Sequence, residues 1–250
     1  MQYKPVLVVL LFSISVSASA QFDLKNAKNS ASQGLSNLTG KKNGSTPLSS
    51  DDIVKGLKDA LSVGSNNAGA SASKADGFYK DSLIKIPFPP DAEKVRQAAV
   101  SAGMQSKVDE FVLSLNRAAE KAAVKAAPIF VNAITSMSID DGMKILKGPD
   151  NAATQYLQNK TSQQLHDAFL PVVKAAIDSV QVTKYWTPLA NAYNSVPFVT
   201  KVNPDLNEYV TQKALSGLFI LLAAEELKIR KNPAARVDDI LKKVFGSLDK

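Results

Sequence analysis

The sequence predicts an all-α fold: a single multi-helix globular bundle with a central apolar helix, preceded by a flexible N-terminal leader. Apolar residues recur at helical spacing through most of the chain, no alternating strand pattern of useful length interrupts them, and Pro and Gly divide the runs into helix-sized pieces.

Residues 1–20 read as a cleavable signal peptide. Lys4 supplies the positive start, residues 5–12 the apolar stretch, and Ala18-Ser19-Ala20 the small residues before a cut that makes Gln21 the first mature residue. The apolar stretch dissolves into Ser13, Ser15, Ser17 and Ser19, short of the roughly 20 residues that span a bilayer. The expectation is export to the periplasm or another extracytoplasmic compartment, with no transmembrane segment in the mature chain. Residues 21–48, rich in Asn, Ser, Gly and Lys, hold too few large apolar side chains to offset the entropy of ordering and read as the leader; residues 49–250 form the helical domain.

Within that domain Ser50 is available as an N-cap, Asp51 and Asp52 lie in the first turn, and Ile53, Val54, Leu57 and Leu61 mark one face of a helix that fades from Gly64 to Ser73. Pro87, Pro89 and Pro90 make residues 76–90 an extended connector, with a short piece able to pair locally. Asp91 then caps a helix with Val95, Ala98, Ala99 and Ala102 on one face, stopped by Gly103. Residues 105–127 carry a core stripe of Val108, Phe111, Val112, Leu115, Ala119, Ala122 and Ala126, and Pro128 kinks or restarts the helix before Ile129, Phe130, Ile134 and Met137.

Ser138 and Asp141 have capping-box spacing and open a short helix ending at Gly148-Pro149; Thr161-Ser162-Gln163-Gln164 repeats that logic and opens another, bent at Pro171. Residues 214–224 are apolar almost all round, the mark of a central core helix. Their span of about 16 Å is half a bilayer core. Gly217 inside it invites close approach of a neighbouring helix. Asn232-Pro233 ends the run, and a last helix over 234–244 closes at Gly246.

Zero cysteines exclude a lipoprotein, a disulfide framework, a thiolate nucleophile and Cys-containing zinc sites. The net charge of +7 is spread among interleaved acids, and no aromatic residues alternate with basic runs, so nucleic acid is not an expected partner.

The strings Asp76-Gly77-Phe78, Ile84-Lys85-Ile86-Pro87, Asn116-Arg117-Ala118-Ala119-Glu120, Pro128-Ile129-Phe130, Ala152-Ala153-Thr154-Gln155-Tyr156, Gly217-Leu218-Phe219 and the run from Ile229 to Arg236 followed by Val244-Phe245-Gly246 together resemble the bacterial family catalogued as domain of unknown function 4197. The likeness covers about residues 50–246. It implies a helical extracytoplasmic protein from a bacterium with an outer membrane, and no reaction, cofactor or catalytic residue.

For chemistry, His166 is the only histidine and reads as a surface or helix-end residue, since no Gly-x-Ser-x-Gly elbow accompanies it and a zinc site on one histidine would have to be completed by carboxylates. No cofactor and no metal are expected. Adjacent acids point about 100° apart on a helix and make no paired-carboxylate site. Glu225-Glu226 stands out because it follows the buried run and precedes Lys228 and Arg230, with Glu226 and Arg230 spaced to pair. With Asn116, Arg117 and Glu120 as partners from another helix, Glu225, Glu226 and Arg230 form the candidate polar cluster. It is either a ligand or acid–base site or an ion-pair network that docks helices. The alanines at 118, 119, 122, 123, 126 and 127 fit either close packing or a cavity for a small hydrophobic ligand. Two functions stay open: a non-enzymatic binding or envelope-interaction module, with a hydrophobic ligand or an envelope protein as partner, and an enzyme using the Glu/Arg cluster.

Overall fold

A Ser-x-x-Asp box opens the first helix, and Ser49 rather than the expected Ser50 is its cap. Ser49 Oγ accepts from the Asp52 amide at 3.1 Å, and Asp52 Oδ2 accepts from the Ser49 amide at 3.4 Å. The computed structural model describes residues 49–179, 186–203, 205–231 and 242. Their helices are α1 (Ser50–Ser73), α2 (Glu93–Ser101, after a 3-10 turn Pro90–Ala92), α3 (Gln105–Ala123), α4 (Ala126–Thr135), α5 (Ile139–Lys147), α6 (Ala152–Asp178), α7 (Trp186–Asn194) and α8 (Leu206–Lys231). Among the described residues there is no strand, so the fold is all-α; the connector before α2 turns over residues 75–84, runs on without helix or strand over 85–89, and forms no local strand pair. The signal peptide, the leader and, Lys242 apart, the helix expected over 234–244 lie outside the described residues.

Contrary to expectation, α1 does not fade at Gly64. Its small residues Gly64, Ser65, Ala68, Gly69 and Ala72 are buried. A Cβ at Gly64 would stand 3.4 Å from Glu225 Cβ of α8, and one at Gly69 would stand 3.4 Å from Ala127 Cβ of α4. These weak helix formers let two neighbours approach α1 closely, and that packing outweighs a propensity deficit of up to about 1 kcal/mol per glycine.

Other boundaries shift for similar reasons. Asp91 is no cap: Ala92 holds the N-cap position of α2 without a side-chain bond, Val95 is the one buried residue of the helix, and Ala98 and Ala102 are exposed. The helix expected to reach 127 stops at Ala123, and Pro128 falls in the first turn of α4, where its missing amide is no loss. The Ser138–Asp141 box forms as expected, with Ser138 Oγ accepting from the Asp141 amide at 3.1 Å. No helix starts at Thr161. It is buried within a continuous α6, its Oγ1 donating to Leu157 O at 2.6 Å.

Helix α8 packs against α6, α1 and α3, the central position its composition implies. Leu215, Leu218, Phe219 and Leu222 are buried, while Ser216 and Ile220 face out. Gly217 does permit a close approach, but by the connector rather than a helix. A Cβ there would stand 2.7 Å from Phe78 Cε1 and 3.0 Å from Ile84 Cβ. Phe78, Ile86, Leu115, Phe130, Leu157, Leu165, Phe169 and Leu218 are the large, fully buried side chains around this centre.

Candidate functional site

Four of the six cluster residues, Asn116, Glu120, Glu226 and Arg230, bond the backbone of neighbouring segments, while Arg117 and Glu225 meet side chains. On α3, Asn116 treats Ile86 as a strand partner would: its Oδ1 accepts from the Ile86 amide and its Nδ2 donates to the Ile86 carbonyl, both at 2.8 Å, with a further donation to Val112 O. One turn on, Glu120 Oε1 accepts from the amides of Phe78 at 3.1 Å and Tyr79 at 3.2 Å, while Oε2 accepts from Arg117 Nη1 at 2.6 Å. Arg117 reaches Asp76 Oδ1 with Nη2 at 2.5 Å, and Asp76 also meets Lys80 at 2.7 Å. The bond from Lys80 first, and then that from Arg117, holds the Asp76 carboxyl below its ordinary value; Glu120 and Asp76 in turn hold the Arg117 guanidinium more firmly charged.

On α8, Glu226 caps the start of α6. Its Oε1 accepts from the Ala153 amide at 2.9 Å, and its Oε2 accepts from the Thr154 amide and Thr154 Oγ1, both at 2.8 Å. Arg230, four residues on, donates Nε and Nη2 to Glu226 Oε1 at 3.0 and 2.9 Å, and Nη2 also donates to Ile145 O at 2.8 Å near the end of α5. A carboxylate at the start of α6 and a guanidinium at the end of α5 both complement helix dipoles. Asn151, next to the first residue of α6, gives no side-chain cap, so this long-range carboxylate takes that place. Glu225 points elsewhere, accepting from Asn67 Nδ2 at 3.1 Å and from Lys228 Nζ at 2.5 Å.

Beside these stitches lie two adjoining hollows of about 600 Å³ each, one between the end of α1, the connector and α8 and the other between α1 and α8; they share Ser71, Lys74, Glu225 and Lys228. Asp76, Lys80 and Asp81 complete the wall on the connector side. Lys80 and Lys228 pair with carboxylates, and Lys74, also exposed, has none as a partner among the described residues. A third hollow of about 220 Å³ lies over Trp186, Leu206 and Tyr209. Burial, and to a lesser degree Asp91, pushes the Tyr209 hydroxyl up to about 12. His166 is a half-buried residue in mid-helix rather than at a helix end, with Nε2 3.0 Å from Glu208 Oε2, and that bond raises its pKa. Among the described residues no three His, Asp or Glu side chains converge as a metal site, and no single helix is long and apolar enough to cross a membrane.

The family model described as "Protein of unknown function (DUF4197)" matches residues 47–246. The chain belongs to the DUF4197 family. The match takes in every helix, stitch and hollow described above. No curated protein and no solved structure matches the chain. For this DUF4197 chain, then, the residues themselves carry the functional argument. Three that matter were not singled out by sequence reasoning as site residues: Asp76, Lys74 and Thr154. Asp76 and Thr154 do sit in strings that carry the family resemblance, which was the signal available; Lys74 had none, because its role depends on where α1 ends.

Proposed function

We propose that this DUF4197 protein is an exported, non-catalytic binding module of the cell envelope, working after removal of residues 1–20 and taking a small polar ligand with an anionic group in the groove between α1, the connector and α8. One observation carries the non-catalytic half: the carboxylates of the polar cluster are occupied by the fold itself. Glu226 receives bonds from two amides, a hydroxyl and a guanidinium, and Glu120 from two amides and a guanidinium. A general acid or base needs a lone pair or proton facing substrate, which argues against the acid–base alternative for these two groups. The alanine stripe fits close packing: residues 118, 119, 122, 123 and 126 are buried, and Ala127 closes on Gly69. The groove with its ammonium groups, Lys74 above all, is the better place for a ligand.

The test is intact and native mass spectrometry of the protein taken from its native envelope fraction. The reading expects a chain beginning at Gln21 and a reproducible adduct that disappears in the Lys74→Glu variant. An uncleaved chain would overturn the export half. An adduct indifferent to Lys74→Glu and to Lys228→Glu would overturn the groove.

A further inference from the structure

Between α7 and α8 the chain closes a small loop on itself. Asn194, the last residue of α7, clamps both backbone groups of Val202: its Nδ2 donates to the Val202 carbonyl and its Oδ1 accepts from the Val202 amide, each at 2.8 Å. Val202 is buried, so the base of the loop is anchored in the core. The tip is the opposite. Val196 and Phe198 are both exposed, Phe198 completely so, and Phe198 holds a left-handed φ of +66°. A bulky aromatic residue rarely adopts that conformation. A phenylalanine held there by a two-point clamp, touching nothing that would repay its exposure, is a feature built to meet something outside the fold.

The composition around the tip indicates what it meets. Within residues 49–250 no stretch without Asp or Glu is longer than residues 179–204, whose only charges are Lys184 and Lys201. Of the aromatic residues described there, Trp186 is buried against Phe88 and Phe111 and Tyr193 is half-buried, which leaves Phe198 as the exposed ring. Val196 and Phe198 at the tip, Lys201 behind them and no carboxylate within the stretch suit an anionic lipid surface, where aromatic rings settle at headgroup depth and lysines meet the negative potential. A protein pocket would call for no such exclusion of acids.

From this we infer that the loop over residues 195–201 is a membrane-surface contact, with Phe198 and Val196 entering the interfacial region of an anionic bilayer and Lys201 resting against its headgroups. The contact is peripheral. It goes beyond the groove proposed above and does not depend on it.

The absence of native cysteine makes the test direct, because a single introduced thiol takes an environment-sensitive fluorophore at one place only. Thr200→Cys, exposed beside the tip, reports the loop and leaves Phe198 intact; Gln158→Cys, exposed on α6, reports a remote surface. Both labelled full-length chains are mixed with phosphatidylglycerol-containing vesicles and with vesicles of phosphatidylcholine alone. The expected result is a blue-shifted emission at position 200, quenched by nitroxide-bearing lipid, stronger with the anionic vesicles, and weakened about tenfold or more in apparent partitioning by Phe198→Ser. Position 158 stays aqueous. Because the reading is local to residue 200, vesicle binding through the N-terminal segment cannot imitate it. A label at 200 that stays aqueous on vesicle-bound protein overturns the proposal. So does a blue shift that grows with protein concentration in the absence of lipid, which would assign the tip to a second copy of the chain.

Discussion

Replacing Glu226 with alanine tests whether the polar cluster is architecture. The substitution removes the acceptor for the amides of Ala153 and Thr154 and the hydroxyl of Thr154, and it strips the carboxylate from Arg230, whose side chain is only 8% exposed. Breaking one side of a buried, hydrogen-bonded ion pair costs about 3–5 kcal/mol, because the remaining charge loses its counter-charge and the amides their acceptor away from water. That is a large part of the roughly 5–15 kcal/mol that holds a domain together. At about 2–4 °C per kcal/mol for a domain of this size, the melting temperature should fall by roughly 6–20 °C, read by far-ultraviolet circular dichroism. Glu226→Gln should lower it by less, since one carbonyl oxygen remains while the new amide group opposes the donors. Glu226→Ala melting within about 2 °C of the parent would mean that α6 needs no cap from α8 and that the cluster is not architecture.

Asn116→Ala should cost about 2–4 kcal/mol in urea unfolding and selectively speed hydrogen exchange at the Ile86 amide, which loses its acceptor in the core; unchanged exchange there would contradict the clamp. Gly217→Ala should cost about 1–3 kcal/mol, because its methyl must displace Phe78 or Ile84, whereas Ser216→Ala beside it, exposed, should change unfolding by under about 0.5 kcal/mol. For His166 and Glu208 the sign follows from their opposite shifts. The raised histidine contributes fully below its ordinary 6.5 and loses its contribution as pH rises through the folded value, while the lowered glutamate contributes above its ordinary 4.5 and loses it on acidification. Melting curves of the parent and His166→Gln should therefore differ most between those two values and converge at alkaline pH; a gap that widens above neutrality would reverse the assignment.

Much of the helical layout was legible in the sequence because it rests on local rules. The Ser138–Asp141 box, the Gly148 stop and the apolar run of α8 all stand where spacing and composition place them. The misplacements come from the one thing a local rule omits, the neighbour. Gly64 and Gly69 read as a fading helix until Glu225 and Ala127 are seen against them, and Thr161 reads as a cap until it is found within α6. The cluster residues were legible as a group of charged side chains near a buried helix, but their targets were not. Asn116, Glu120 and Glu226 bind backbone amides 30, 42 and 73 positions away, and backbone donors leave no mark in a sequence.

The approach of α1 to α8 bears on how the chain is made. Gly64 and Asn67 of α1 meet Glu225 and Ile229 of α8, so a nascent polypeptide cannot close this interface until α8 has been synthesised. Until then α1 carries a small-residue face with no α8 to lie against, and the amides at the start of α6 wait for Glu226. Contacts of such long sequence separation place completion late and make it slow. A product cut short before α8 lacks the helix against which α1, α3 and α6 pack, and should be cleaved by proteases faster than the whole chain.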